Sequence, residues 1–198
     1  MTGIQRPVDI EDHRQLPVSL LDLKEHLRIE HDEQDRLLLT KIMSATSEAE
    51  QFIGSPIMAQ SFALVFDGFP ASGGAIELPA SPIRSITSIT YYDGNGDSQT
   101  LDAAEYGLAT WRAIPDVYPV SGAWPDTQER ENAVTVTYVA GYASKPSAVP
   151  AAIREAVLLR AATRASMSEE SGVGNVAWKL DDALAFGALL NPFRNMHV

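Results

Sequence analysis

An α+β fold is predicted: a bundle of N- and C-terminal helices, an antiparallel β module inserted between them, and a short C-terminal helix with a tail. Three observations predict it. Apolar residues recur at helical spacing before residue 54 and again after residue 150. Between them the spacing turns to alternation, strict in Val134–Val139, and β-branched and aromatic residues gather in Ile83–Tyr92. Glycine and proline mark both changes, at Gly54-Ser55-Pro56 and from Gly141 to Pro150. The expected parts are an N-terminal helical part over 1–54, the inserted β module over 55–149, a helix completing the helical part over 150–168, and a hinge with a C-terminal segment over 169–198.

Each element has a local reason. Residues 1–17 read as irregular, with Pro7 and Pro17 as breakers. Ser19 opens a short helix, with Asp22 where the acidic partner of a capping box belongs. Leu20, Leu23 and Leu27 share one face. Asp32 is expected to cap a second helix of roughly 20 residues, whose stripe is Leu38, Ile42, Ala45, Ala49, Phe52 and Ile53. Gly54 ends it and Pro56 forbids continuation. Strands are expected at Gln60–Phe66, Ile76–Leu78 and Ile83–Tyr92. The turn Asp93-Gly94-Asn95-Gly96 returns the chain along Ser98–Leu101. Tyr106–Ala109 adds a further strand. Residues 115–132, with Pro115, Pro119, Gly122 and Pro125, read as a long loop. Ala151–Met167 is helical with Ile153, Val157, Leu158 and Ala161 inward. Residues 168–175 are polar, glycine-containing and expected to be flexible, and Asp181 or Asp182 caps a last helix that Pro192 ends.

Composition narrows the chemistry. The 198 residues carry 15 basic and 26 acidic groups, a net charge of −11. Such a chain repels phosphate backbones unless its cations are segregated. Residues 1–53 hold 6 basic and 11 acidic groups, residues 54–149 hold 4 and 10, and residues 150–198 hold 5 and 5. The last segment is thus the easiest to lay against another surface. There is no cysteine, which removes disulfides, thiolate metal sites and thiol nucleophiles. No apolar run approaches the ~18 residues of a membrane span. The N-terminus has no apolar signal core, so a cytoplasmic product is expected.

Candidate sites fail one by one. His26 and His31 are five apart, not the four that share a helix face as zinc ligands. Asp93, Asn95 and Asp97 imitate a calcium loop, but Ser98 stands where glycine is needed and Glu105 falls one residue late. Gly172-Val173-Gly174 follows a helix, not a strand, and Gly73-Gly74 has no lysine after it. Glu169-Glu170 and Asp181-Asp182 read as solvated caps. No acid, base and nucleophile are mutually spaced, so neither catalysis nor a metal or cofactor is expected. Arg154, Arg160 and Arg164 lie on one helix; an ordinary solvated face is the simpler reading than a nucleic-acid strip. Trp111, Tyr118 and Trp124 allow an alternative function, a ligand- or carbohydrate-binding β module on a helical stem. The apolar residues of the C-terminal segment either fold back on their own domain or enter a partner's groove.

Five pieces in order carry a resemblance: VSLLDLKEHLRIEHDEQDRLL, EAEQFIGSPIMAQSFALVFDGFP, LPASPIRSITSITYYDGNGDSQTL, NAVTVTYVAGYASKPSAVPAAIREAVLLRAA and LLNPFR. Together they resemble the head–tail connector (adaptor) family of tailed phages and phage-derived gene transfer agents. The resemblance implies a structural, non-enzymatic protein of a particle neck, assembled in the bacterial cytoplasm. It implies a homo-oligomeric ring, commonly a dodecamer, beneath a portal protein. That ring is joined to a stopper or tail-completion protein, and DNA passes through its channel without specific binding. It also tips the C-terminal segment toward portal docking, through Leu180, Leu184, Phe186, Leu189, Leu190, Phe193 and Arg194.

Overall fold

A computed structural model describes residues 8–9, 15–112, 114–169 and 184–195. The chain divides into two compact units. Among the described residues, one is helical, built from 15–58, 142–169 and 184–195; the other is the β module, from 59–112 and 114–141 with 8–9.

In the helical unit, α1 (Leu20–Leu27) starts at the capping box that Ser19 and Asp22 predict, each side chain accepting from the other's backbone N–H at 3.0 Å. α2 (Asp35–Ile53) ends as expected at Gly54, which takes the left-handed conformation with φ 68°. Its start differs from expectation. Gln34 occupies the N-cap without a side-chain bond. The Asp32 carboxylate instead accepts from Lys24 Nζ at 2.5 Å, and the same ammonium reaches Asp35 at 2.9 Å. A cation within reach outcompetes the neutral backbone N–H groups for that carboxylate. α3 (Ala151–Glu169) and α4, helical through 184–190, complete the unit. Its core joins Leu23, Leu38, Ile42, Ala45, Ala49 and Ile53 to Ile153, Val157 and Ala161, the expected stripes of α2 and α3. Leu158, expected inward, is half-buried at the rim. The start of the last helix and residues 170–183 lie outside the described residues, as does any capping by Asp181 or Asp182.

The β module has two antiparallel sheets. The larger runs β1 (Val8–Asp9), β2 (Gln60–Phe66), β8 (Val134–Ala140), β4 (Ile83–Tyr92), β5 (Ser98–Thr100). The smaller runs β3 (Ile76–Glu77), β7 (Asp116–Pro119), β6 (Tyr106–Ala109). Alternation in β8 buries Val134, Val136, Tyr138 and Ala140, and Ile76 and Val117 of the smaller sheet join the same core. Burial pushes the Tyr138 hydroxyl up to about 12. Two segments read as irregular form strands. β1 pairs Val8 with Ala63 and Asp9 with Phe62. β7 lies inside the expected long loop: Val117 is buried between β3 and β6, and Pro119 sits at the strand end, where a missing N–H is tolerated. Among the described residues no helix is long and apolar enough to cross a membrane.

Candidate functional site

The C-terminal segment follows from its residues upward. Phe186 and Leu190 enter the helical core, and Leu189 and Phe193 pack against it. Phe186 meets Phe52 of α2 edge-on at 5.8 Å, with the Arg160 guanidinium 5.2 Å over its ring. Phe193 meets Tyr142 edge-on at 5.7 Å, and the Tyr142 hydroxyl donates to the Phe193 carbonyl at 2.9 Å. Asn195 N–H donates to the Ile53 carbonyl at 2.6 Å. The Arg194 guanidinium lies 5.7 Å over the Phe52 ring. Leu184 is different: it is 62% exposed. Leu180 lies outside the described residues. Of the two fates open to the segment, folding back is the one that its described residues adopt. They leave one outward surface, with Leu184 as its apolar point.

A charged lock stands behind that surface. Glu48 of α2 accepts from Arg160 Nε at 2.9 Å and Nη2 at 2.5 Å, and from Arg164 Nη2 at 2.5 Å. Arg164 also donates to the Ser44 hydroxyl. These bonds, Arg160's first, hold the Glu48 carboxyl below the usual carboxylate range. Arg154 approaches Asp22 at 3.8 Å. The arginines of α3 thus tie helices together, and the plain solvated face that the sequence suggested is not what forms.

The aromatic platform of the alternative reading does not assemble in the β module. Trp124 stacks flat on Phe69, centroids 4.8 Å apart and planes at 4°, and its indole N–H donates to the Gly74 carbonyl at 2.7 Å. The Tyr118 ring lies close over Gly107, where a Cβ would meet it at 2.5 Å. Trp111 alone points outward, 75% exposed, in the β6–β7 turn. A cleft of about 210 Å³ beside Trp124 is lined by Leu101, Glu105, Ser121, Ala123 and Pro125. It holds one carboxylate and no partner base or cation. The Asp93 carboxylate is occupied by its own turn, accepting from Asn95 and Asp97 N–H and from Gln99 Nε2. Gln99's bond is the main cause of its lowered pKa. Among the described residues no three metal-ligating side chains converge.

Sequence reading missed the apolar exposure at Leu21, at Val120 and along the outer side of α2, where Leu37 is 42%, Leu39 38% and Met43 56% exposed. A signal was present for α2: these residues are apolar yet fall outside the 3.6-period stripe of their helix.

Residues 17–104 match the family model described as phage gp6-like head-tail connector protein. The match takes in α1, α2 and strands β2 to β5. No curated protein matches the sequence. Solved structures share the fold over nearly the whole chain. A chain from the neck of the empty GTA particle computed with C6 symmetry is 20% identical, covers 98% of this chain and 97% of its own, and gives a TM-score of 0.74. A chain from the virion of the native gene transfer agent particle is 19% identical over 97% of this chain and 96% of its own, with a TM-score of 0.73. One from the neck of the native GTA particle computed with C12 symmetry is 22% identical over 98% and 97%, with a TM-score of 0.68.

Proposed function

We propose that this chain belongs to the phage gp6-like head-tail connector family, whose model matches its residues 17–104, and forms the adaptor ring of a phage-like or gene transfer agent particle. In that role it sits beneath the portal, joins it to a stopper or tail-completion protein, and leaves a channel for DNA. The observation that carries the reading is the whole-length likeness to neck proteins, two of them in particles treated with C6 and C12 symmetry. A twelve-subunit ring fits those symmetries. The charge supports passage over retention: at −11 per copy a ring repels a phosphate backbone.

Portal docking is assigned to the outward surface of the C-terminal segment. Phe186 and Leu190 anchor the segment to the stem, Leu189 and Phe193 pack at its edge, and Leu184 and Arg194 border what is presented. Burying one leucine is worth roughly 1.5–3 kcal/mol, and repetition around a ring multiplies it through avidity. The test mixes purified protein with tail-less, portal-bearing heads and scores ring density in negative-stain images. Leu184→Glu is expected to keep the fold and the ring but lose the heads. Normal occupancy by that variant moves docking to the β-module loops. Wild-type protein that forms no ring and joins no head overturns the adaptor reading.

A further inference from the structure

We propose that Trp111 is the knob of a head-to-tail contact between copies of this chain, seated on the outer stripe of α2 formed by Leu39 and Met43 of the next copy. The proposal rests on the ring reading above and names the contact that would build the ring.

The knob is presented on a closed support. Ala109 and Asp116 pair across β6 and β7, so Trp111 sits in the turn of a registered hairpin. Arg112 pairs with Asp116, whose side chain is 7% exposed, and this brace spans the turn. A large indole held outward by a braced turn loses little freedom on docking, which is what an anchor residue requires. The other described tryptophan, Trp124, is stacked and hydrogen-bonded inside its own unit, so Trp111 has no equivalent role there.

The receiving stripe has matching chemistry. Leu39 and Met43 are one helical turn apart and lie outside the buried row of Leu38, Ile42 and Ala45. A thioether adapts its shape to an aromatic edge. Arg36, three residues before Leu39, lies along the same line of α2, and a guanidinium stacks well on an indole face.

Charge selects a second copy as the occupant. Two chains of net −11 repel over most of their surfaces. Yet Arg36 to Ser47 contains no acid, and the one acid of the 110–116 turn, Asp116, is buried against Arg112. Both halves of the contact are therefore poor in free acid: the nearest carboxylate on α2, Asp35, one turn before Leu39, is paired with Lys24. They are also different surfaces of the same chain. A contact between unlike surfaces repeats from copy to copy and makes a ring where the rotation between copies closes, whereas a self-complementary patch stops at a dimer.

The experiment uses the absence of cysteine from the chain. Full-length protein carrying both Thr110→Cys and Thr40→Cys, two exposed positions that leave Trp111, Leu39 and Met43 in place, is oxidised after assembly. A ladder of disulfide-linked oligomers is expected on a non-reducing gel. Adding Trp111→Ala should abolish the ladder and raise the concentration for half-assembly on the order of tenfold, with the far-UV spectrum unchanged. Cross-linking that stops at dimers overturns the proposal. So do rings without cross-links, or Trp111→Ala assembling at the wild-type concentration; in both cases the ring reading stands and the contact lies elsewhere. Wild-type protein that stays monomeric at every concentration, with portal present, overturns the ring reading and this contact together.

Discussion

Leu190→Ala tests the anchoring of the C-terminal segment directly. Leu190 is fully buried in the helical core, in the same cluster as Ile53 and Ile153. Truncation removes most of the side chain and leaves a cavity that the surrounding helices only partly fill. The expected cost is about 2–5 kcal/mol. With a urea dependence of about 1–3 kcal/mol/M for a small domain, the midpoint should fall by roughly 1–2 M. The assay is urea denaturation followed by the far-UV helical signal, since α1 to α4 all belong to the helical unit. Leu184→Ala is the internal control. That side chain is 62% exposed, and its loss should stay within about 0.5 kcal/mol. A Leu190→Ala cost no larger than that of Leu184→Ala would refute the reasoning: the segment would not be held on the stem in solution. The same packing explains why deleting the whole segment is a poor docking test, since it would strip Phe186 and Leu190 from the core.

Three further outcomes are expected. The Glu48 carboxyl has a lowered pKa through its bonds to Arg160 and Arg164, so the lock stabilises fully above the ordinary value of 4.5 and weakens as pH falls through the depressed one; Glu48→Gln should flatten the acid limb of stability against pH, and an unchanged limb would remove the lock from the account. Gly73→Ala should destabilise the β module by about 1–3 kcal/mol in thermal melts, because φ is +70° and a new Cβ would sit against the Gly122 carbonyl oxygen; a wild-type melt would show that the two loops do not approach so closely. Ser19→Ala should cost about 1 kcal/mol through the lost capping box, with hydrogen exchange accelerated in the first turn of α1 and not elsewhere.

What was legible in the sequence divides by the range of the interaction. The capping box at Ser19, the glycine stop at Gly54 and the alternation of β8 are set within a few residues, and each appears where the pattern places it. Asp32 was misassigned because Lys24, eight residues earlier, competes for its carboxylate. β7 hid between two prolines because its reason to exist is Val117 meeting partners from β3 and β6, up to 41 residues away in register at Ile76. β1 is short enough that only its partner β2 defines it. The arginines of α3 looked like a solvated face because Glu48, their partner, lies over a hundred residues earlier. The family resemblance was legible because it rests on several local segments in order. The exposure of Trp111 was not legible, since exposure is a property of the finished fold, whereas the outer stripe of α2 left a signal in apolar residues that fall off the buried row.

The return of the chain from the β module to the helical unit at residue 142 bears on how such chains can be rebuilt. Tyr142 and Ala143 N–H both reach the Ile57 carbonyl, at 3.0 and 3.3 Å, and Met58 bridges Ala143. The chain therefore leaves the helical unit and re-enters it at one clip. An insertion whose two ends are already pinned side by side adds little closure entropy however long it is. The intervening stretch can then be lengthened, shortened or exchanged while the helices keep their partners. Residues 57 and 142 mark a natural graft point, where a foreign module with closely spaced termini should be accepted.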